Sequence, residues 1–307
     1  MNVHISSLKS CLIISGFACL QLLSSCGEKN PNPQNEGDLS LNSVVIALKA
    51  NKNPQQMLAE KESLELYLAG KLKRPVKVII PTDSSIIVES FRNGTLDLGY
   101  LSSTDAARNL DQNSSSVLLI HLKNGKPNYN SVWLSLKEKS YQSIGDLKDK
   151  PIAFASRSST SGFLIPCWDL AQRGVIGANA GLNDFFSKII YGTGYTSAAQ
   201  KVLSGEVEAA AVSDYVFKGN DKYLSPAQKA RLRIIQEQGP VPSHTLCIRS
   251  SISPNDVSII KDALLQMNQE NPSLRDQVFN GKLVEVDADQ HLKVTREALA
   301  LQSELKL

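Results

Sequence analysis

Strand-length apolar runs alternate with helices along this chain, and this alternation constrains the fold more than any other feature of the sequence. The run 43–48 is almost continuously apolar, as buried strands are. A helix is predicted over 54–72, where apolar residues recur at three- and four-residue spacing. The strand 75–80, a helix over 84–92 and the strand 96–101 complete a β-α-β-α-β unit. Such alternation predicts a largely parallel sheet that helices cover on both faces.

The same pattern starts again in the middle of the chain. Further strands are predicted over 131–136, 151–155, 189–191, 209–213, 233–235 and 245–248, with a short helix and turn at 144–149 and helices over 162–172, 197–203, 254–270 and 288–305. We therefore predict two α/β lobes with two chain crossings between them. Lobe 1 comprises 41–136 and 240–307, and lobe 2 comprises 137–239.

The N-terminal segment predicts export from the cytoplasm. Lys9 precedes an apolar run over 11–23, which has the length of a signal-peptide core and is too short to span a bilayer. The run ends in Leu-Ser-Ser-Cys-Gly, and this resembles the lipobox of bacterial lipoproteins, in which the cysteine, here Cys26, receives the lipid. The alternative is an ordinary cleaved signal that happens to contain Cys26. We predict a lipoprotein signal over 1–25 and a flexible stalk over 26–40, because the stalk composition buries too little surface to fold.

Composition indicates a globular protein and excludes several functions. The chain is 42% hydrophobic, with 33 basic and 30 acidic side chains and a formal charge of +3. It shows no basic stripe with interleaved aromatics, so nucleic-acid binding is not predicted, whereas a mildly basic surface suits an anionic ligand. After signal removal and lipidation of Cys26, Cys167 and Cys247 remain. They form no metal-binding spacing and are predicted to be buried thiols, a single bridge between them being the alternative.

The segment 158–162, Ser-Ser-Thr-Ser-Gly, joins a buried strand to a helix and is the most informative part of the sequence. In open α/β sheets such a loop lies at the carboxyl end of a strand, where ligands bind. Helix-terminal N–H groups and the helix dipole favour an anion there, and the hydroxyls of Ser159, Thr160 and Ser161 add neutral donors. Simple N-capping by one hydroxyl is the alternative. A run of hydroxyls followed by glycine exceeds what a cap requires.

Similar arrangements follow three other strands. Tyr100 runs into Ser102 and Ser103, hydroxyls at another strand-to-helix junction, and we expect this loop to face 158–162 across a cleft. Tyr195 lies in a turn before a helix, and Asp214 follows the apolar strand 209–213. These residues are the remaining ligand candidates. The alternatives are that Tyr195 only covers a helix end and that Asp214 only caps the next segment.

These motifs resemble the solute-binding proteins of ABC importers for phosphonate and phosphite over most of 43–300. The resemblance rests on three elements: Gly94-x-Leu-Asp97-x-Gly-Tyr100, Ser143-Ile144-x-Asp146-Leu147-Lys148, and Phe154 followed by Thr160-Ser161-Gly162 and Pro166. The first two occur in many solute-binding proteins, and the third is the specific one. The resemblance implies a type II periplasmic-binding-protein fold, with two lobes of mostly parallel sheet and the ligand in the cleft between them.

The resemblance also implies what the site holds. The hydroxyls and N–H groups of Ser159, Thr160 and Ser161 would grip a phosphorus oxyanion, and Tyr100 matches an aromatic residue at the end of the third strand. Three departures are visible: Ser84-Ser85 replaces an aromatic, Ser102-Ser103 replaces Gly-Pro, and Tyr195 stands where many members have histidine. Fewer aromatics and more hydroxyls favour a small ligand such as phosphite or phosphate over a large organophosphonate.

Binding is predicted rather than catalysis. His121, His244 and His291 occupy no catalytic spacing, and Ser161-Gly162 is not a nucleophile elbow. We expect no cofactor and no metal. The predicted partners are a small oxyanion, an ABC permease and, through the lipid anchor, the membrane. The protein is predicted to be a monomer in the cell envelope that faces the periplasm or the cell exterior. The alternative is a sensor that presents the ligand-bound module to a membrane receptor.

Overall fold

The computed structural model describes residues 38–49, 54–81, 84–219 and 223–305. The predicted signal peptide, lipidated Cys26 and most of the predicted stalk lie outside these residues. The end of the stalk lies inside them and is folded: Leu39 is buried, and both the N–H and the hydroxyl of Ser40 donate to the carboxylate of Asp256. The prediction of a stalk up to 40 was therefore wrong at its last residues. An apolar side chain and a carboxylate partner fix this segment to the fold.

The elements follow the predicted alternation closely. The first part of the chain contains β1 (Val44–Leu48), α1 (Pro54–Leu72), β2 (Val76–Ile79), α2 (Ser84–Arg92), β3 (Leu98–Leu101), α3 (Ser103–Asp111), β4 (Ser115–Leu122) and β5 (Asn128–Leu136). The middle contains a 3₁₀ turn (Ile144–Leu147), β6 (Pro151–Phe154), a π-helical turn (Thr160–Leu164), α4 (Ile165–Gln172), α5 (Leu182–Phe185), β7 (Lys188–Tyr191), α6 (Tyr195–Leu203), β8 (Ala209–Ser213), α7 (Asp214–Lys218) and α8 (Pro226–Arg231). The last part contains β9 (Leu232–Pro242), β10 (Thr245–Arg249), α9 (Pro254–Glu270), α10 (Pro272–Phe279), β11 (Lys282–Val284) and α11 (Ala288–Glu304).

Two sheets form two lobes, which confirms the expected type II architecture. The sheet of lobe 1 has the strand order β2-β1-β3-β10-β4-β11, and that of lobe 2 has the order β7-β6-β8-β5-β9. Each sheet is mixed. The three strands at one side are parallel, and the strand inserted next to them, β10 or β5, is antiparallel because it arrives from the other lobe.

The crossings lie elsewhere than the sequence predicts. The strand β5 was placed in lobe 1, but it pairs with β8 and β9 in the sheet of lobe 2. Strand β9 of lobe 2 likewise extends to Pro242, which pairs with Asn128, so lobe 2 ends beyond the predicted residue 239. The first crossing therefore follows β4, a strand that the sequence analysis missed, and not residue 136. An apolar run shows that a strand is buried without showing which sheet buries it.

Helices cover both faces of each sheet, as the uninterrupted apolar strands require. In β1, Val44, Ile46 and Leu48 face one apolar cluster and Ala47 faces another. Helix α11 packs on both lobes: Leu292 lies in a cluster of lobe 1 and Ala298 in one of lobe 2. Burying a side chain such as Leu292 contributes about 1.5–3 kcal/mol, so α11 helps to hold the lobes together. Within the described ranges, no helix combines the length and the apolar character needed to cross a membrane.

Candidate functional site

The carboxyl ends of the parallel strands carry the hydroxyl loops that the sequence singled out. In lobe 1, β3 leads directly into α3, and Ser102 caps this helix by accepting the N–H of Asp105 at 3.2 Å. The Ser102 hydroxyl in turn lies 2.8 Å from Asp105 Oδ2. In this geometry Ser102, Ser103 and Thr104 are all buried at the start of the helix.

The second loop follows β6 in lobe 2. Ser159 caps the π-helical turn by accepting the N–H of Gly162 at 3.0 Å. A Cβ atom on Gly162 would lie 2.3 Å from Ala155 Cβ, so only glycine allows the turn to pack against the end of the strand. The predicted capping role of one hydroxyl is thus real for Ser159, and it leaves Thr160 and Ser161 for other contacts.

Thr160 connects the two loops across the cleft. Its Oγ1 accepts the Thr104 N–H and the Ser103 hydroxyl, each at 3.1 Å, and lies 2.8 Å from Thr104 Oγ1. Thr160 and Thr104 are both about 2% exposed or less. The loops therefore face each other, as expected from their positions at strand ends, and the lobes are closed on one another at this point.

Ser161 connects the second loop to a group of hydroxyls inside lobe 2. Its Oγ lies 2.9 Å from the Tyr195 hydroxyl and 3.0 Å from Ser213 Oγ, and the Tyr129 hydroxyl donates to it at 3.4 Å. The Ser161 carbonyl accepts the Ser131 hydroxyl at 2.6 Å. These bonds fix the turn, so its donors are held in place before any ligand arrives.

A small cavity of about 30 Å³ lies between the two loops. It is lined by Lys49, Ser102, Ala155, Ser156, Ser159, Thr193, Gly194, Tyr195 and His244. Three of the predicted ligand residues, Ser102, Ser159 and Tyr195, thus come together at one place. Among the residues that the structure describes, its lining is rich in hydroxyls and contains one formally charged side chain, that of Lys49.

Tyr100 and Asp214 lie apart from this cavity. The Tyr100 ring is in the core of lobe 1, where its hydroxyl donates to the Phe279 carbonyl at 2.8 Å and lies 2.9 Å from His121 Nδ1. Its nearest link to the cavity is ring contact with His244, at 5.4 Å between centroids. Tyr100 lies within β3 and packs in an apolar cluster of lobe 1, whereas Ser102 follows the end of the strand at Leu101.

Asp214 lines a second cavity of about 430 Å³, together with Tyr129, Tyr215, Tyr223, Lys218 and residues of 123–130 and α10. Loss of solvation on burial raises the pKa of Asp214, and Lys218, 3.8 Å away, opposes that shift. Tyr129 links the two cavities, because it lines the larger one and its ring stacks on His244 of the smaller one, at 6.4 Å between centroids. Glu206 and Glu208 precede β8, at the end opposite to Asp214, and pair with Lys201 and Lys139, respectively.

Several residues near the site were missed by the sequence analysis. Tyr129, Tyr215 and Tyr223 form an aromatic group with Tyr195, the closest pair being Tyr129 and Tyr215 at 5.1 Å between ring centroids. Burial raises the pKa of Tyr129 and of Tyr215, so both phenols remain neutral. One signal was available for Tyr215: it follows the end of β8, at the edge where ligands bind.

The described histidines and cysteines are buried, and of these residues His244 also lines the small cavity. His121 and His244 are buried with 5.9 Å between ring centroids, where the chain returns to lobe 1, and His291 Nε2 donates to the Ser243 carbonyl at 3.0 Å. Cys167 and Cys247 are buried in different lobes and are free thiols, so they do not form the disulfide that was the alternative. In the part of the chain that the structure describes, no group of three or more His, Cys, Asp or Glu side chains is arranged to hold a metal ion.

Comparison with known proteins reveals similarity over most of the chain. The family model described as ABC transporter, phosphonate, periplasmic substrate-binding protein matches residues 46–291. The phosphate-import protein PhnD of Mycolicibacterium smegmatis is 22% identical over 261 residues, which cover 83% of this chain and 81% of that protein.

Solved structures share the fold. The binding-protein component of an ABC phosphonate transporter from Pseudomonas aeruginosa matches with a TM-score of 0.74 at 18% identity, covering 85% of this chain and 87% of its own. PhnD1 from Prochlorococcus marinus, in complex with methylphosphonate, matches with a TM-score of 0.74 at 19% identity, covering 86% of this chain and 99% of its own. At such identities these structures establish the two-lobed fold only. The ligand of this chain has to be inferred from its own residues.

Proposed function

Because the chain belongs to the family of periplasmic substrate-binding proteins of phosphonate ABC transporters, we propose that it captures a small phosphorus oxyanion and delivers it to an ABC permease. Members of this family bind and transport their substrates and are not enzymes. The candidate ligands are phosphite, phosphate and a small phosphonate. The family's role in transport favours a permease as partner over the alternative of a membrane receptor for sensing.

The proposal rests on one observation: the loops that contain Ser102 and Ser159 line the same cavity in the cleft. Both loops are N-terminal to helices, where free N–H groups and the helix dipole stabilise an anion. We propose that Ser102, Ser159 and Tyr195 contact the anion. Small movements of the lobes would add the donors of Ser103 and Thr160, which here bond to each other across the cleft. They would also add the hydroxyl of Ser161, which here bonds to Tyr195.

The size of the cavity supports a compact ligand. About 30 Å³ is open between the loops. Tyr195 and His244, which line this space, pack against Tyr215 and Tyr129 of the larger cavity that Asp214 lines. A bulky substituent on phosphorus would have to displace one of these rings. We further propose that Asp214 accepts a hydrogen bond from a protonated ligand oxygen once the Tyr195 ring moves aside on ligand binding, with Tyr100 supporting His244 from the core.

Calorimetric titration with phosphite, phosphate, methylphosphonate, aminoethylphosphonate and sulfate tests the proposal. We expect the three small phosphorus anions to bind more tightly than aminoethylphosphonate and sulfate. Tightest binding of sulfate, or no heat from any phosphorus anion at millimolar concentration, would overturn it. Scattering measurements on the same samples should give the mass of a monomer and a smaller radius of gyration with ligand, because such lobes close as a hinge.

Lipid anchoring is a second part of the proposal and rests on the sequence around Cys26. We propose that the mature protein is held at the membrane by this cysteine and faces the periplasm or the cell exterior. Cys26→Ala should then appear in the soluble extracytoplasmic fraction and bind the same anions as the wild type. A variant that stayed in the membrane fraction after signal cleavage would exclude Cys26 as the anchor.

A further inference from the structure

Lys49 follows the carboxyl end of β1 and brings a positive charge to the small cavity. Its ammonium group lies 2.9 Å from Asp105 Oδ2 and 3.4 Å from Ser158 Oγ. The side chain of Lys49 is 15% exposed and that of Asp105 is 3% exposed, so this ion pair is almost completely removed from solvent. Asp105 and Lys49 belong to lobe 1, whereas Ser158 belongs to the loop of lobe 2.

We infer that Lys49 is the cation that binds the anionic ligand, and that Asp105 positions it and balances its charge in the empty site. The inference deepens the proposed function and rests on it. Of the lining side chains within the described ranges, every other one that can donate a hydrogen bond is a hydroxyl or the imidazole of His244. Neutral donors orient an oxyanion, but burying its charge is costly unless an opposite charge is near. Lys49 supplies that charge.

The contacts of Lys49 are compatible with such a role. An ammonium group has three donors, and the recorded bonds of Lys49 go to Asp105 and Ser158. Asp105 also accepts the Ser102 hydroxyl at 2.8 Å, and the Ser102 hydroxyl lies 3.2 Å from the Ser158 carbonyl. Asp105 therefore holds two of the groups that meet the cavity, Lys49 and Ser102, without lining that cavity itself.

This arrangement predicts effects of opposite sign for the two members of the ion pair. Removing the Lys49 charge takes away attraction for the anion. Removing the Asp105 charge takes away repulsion, because a carboxylate beside the ammonium group weakens the field that an approaching anion meets. A purely structural salt bridge predicts a different pattern: losing either partner would harm the closed cleft, and both variants would lose affinity.

The test measures the affinity for phosphate and methylphosphonate by calorimetry in wild type, Lys49→Met, Lys49→Arg and Asp105→Asn, each checked for folding by thermal melting. Lys49→Met should lose about tenfold or more in affinity, as expected for a lost charge-assisted hydrogen bond, and Lys49→Arg should keep most of it. Asp105→Asn should bind at least as tightly as wild type. Lys71→Met is the matched control, because it removes the same charge from the pair with Glu270 on the outside of lobe 1 and should leave affinity unchanged.

Three outcomes would overturn the inference: an unchanged affinity in Lys49→Met, an equal loss in Lys71→Met, or losses of similar size in Lys49→Met and folded Asp105→Asn. The last would make the pair structural. Failure of the proposed function is separate, since the wild type would then bind no phosphorus anion at all. If the wild type instead binds sulfate, the same four variants still decide whether Lys49 carries the charge of the site.

Discussion

The hydroxyl of Thr160 in lobe 2 lies 2.8 Å from the hydroxyl of Thr104 in lobe 1. The same oxygen of Thr160 also accepts the Thr104 N–H at the start of α3. A hydroxyl oxygen thus occupies a donor-rich helix terminus of the kind that binds anions. The two lobes are joined through the very groups that are proposed to hold the ligand, which connects closure of the cleft to ligand binding.

Replacing Thr160 should therefore affect all anions alike. We expect Thr160→Ala to weaken phosphate, phosphite and sulfate together by about 1–3 kcal/mol, the usual cost of leaving buried donors without a partner. Thr160→Ser, which keeps the hydroxyl, is the matched control and should bind nearly as well as wild type. Calorimetry gives the affinities. A loss of affinity for one anion alone would mean that Thr160 determines which anion is bound and does not stabilise anions in general.

Gly162 is predicted to be irreplaceable by alanine for steric reasons. The added Cβ would lie 2.3 Å from Ala155 Cβ and 2.8 Å from Ser159 Oγ, and overpacking of this kind costs about 1–3 kcal/mol. Gly70→Ala is the control: Gly70 lies in α1 with nothing within 4 Å, so alanine should stabilise by up to about 1 kcal/mol. Urea denaturation measures both. Equal free energies of unfolding would show that the loop relaxes freely around position 162.

Asp214→Asn tests how the site tells phosphorus anions from sulfate. Phosphite or phosphate in its monoprotonated form can donate a hydrogen bond to a carboxylate, and sulfate at neutral pH cannot. We expect Asp214→Asn to weaken the phosphorus ligand and to reduce its advantage over sulfate. Asp276→Asn, an exposed carboxylate of the same large cavity, is the control. Unchanged selectivity in Asp214→Asn would remove Asp214 from the site.

The pKa of Asp214 gives this variant a second expected effect. Burial raises that pKa, so the ionised form is less favourable in the folded state than in the unfolded state. Asp214 therefore reduces stability at a pH above its folded pKa and contributes nothing at a pH where both states are protonated. Asp214→Asn should keep or increase the free energy of unfolding at pH 7, as measured with urea in the absence of ligand.

Much of this architecture could be predicted from the sequence because strand burial and helix periodicity are local signals. Helices α1, α2 and α9 and strand β8 have the bounds that were predicted. The family resemblance carried by Thr160, Ser161 and Gly162 was confirmed by the match over residues 46–291. The proximity of the two hydroxyl loops was also foreseeable, because parallel strands end at the same edge.

The rest depended on tertiary structure. Strand β4 was missed although 117–120 is a short apolar run. The lobe to which β5 belongs follows from its pairing with β8. The proposed role of Lys49 in anion binding was missed because, in the sequence, a single lysine after a strand cannot be distinguished from a lysine on the surface. Only the folded chain brings it to Asp105 and Ser158, residues 56 and 109 positions away.

The buried histidines predict the last effect, a loss of stability in mild acid. Desolvation lowers the pKa of both His121 and His291, and the charge of nearby His244 lowers that of His121 further. Below the ordinary histidine pKa of about 6.5, the unfolded chain takes up protons at these positions that the folded protein excludes. The free energy of unfolding should then fall as the pH decreases from 7.5 to 5.5, by up to about 1.4 kcal/mol per pH unit for each histidine.

Urea denaturation at several pH values measures this dependence, and His291→Gln identifies its source. Glutamine can still donate to the Ser243 carbonyl, so the fold should persist while one titrating group is lost. The slope of stability against pH below 6.5 should decrease, by up to about one proton per molecule. Carboxylates with lowered pKa, such as Glu208 and Glu237, lose their contribution only at lower pH and stay outside this window. Asp214 acts in the opposite direction in acid, so the comparison is repeated in Asp214→Asn, where the decrease should be steeper. A stability that is flat from pH 7.5 to 5.5 in both backgrounds would contradict the assignment of the histidines as neutral buried groups.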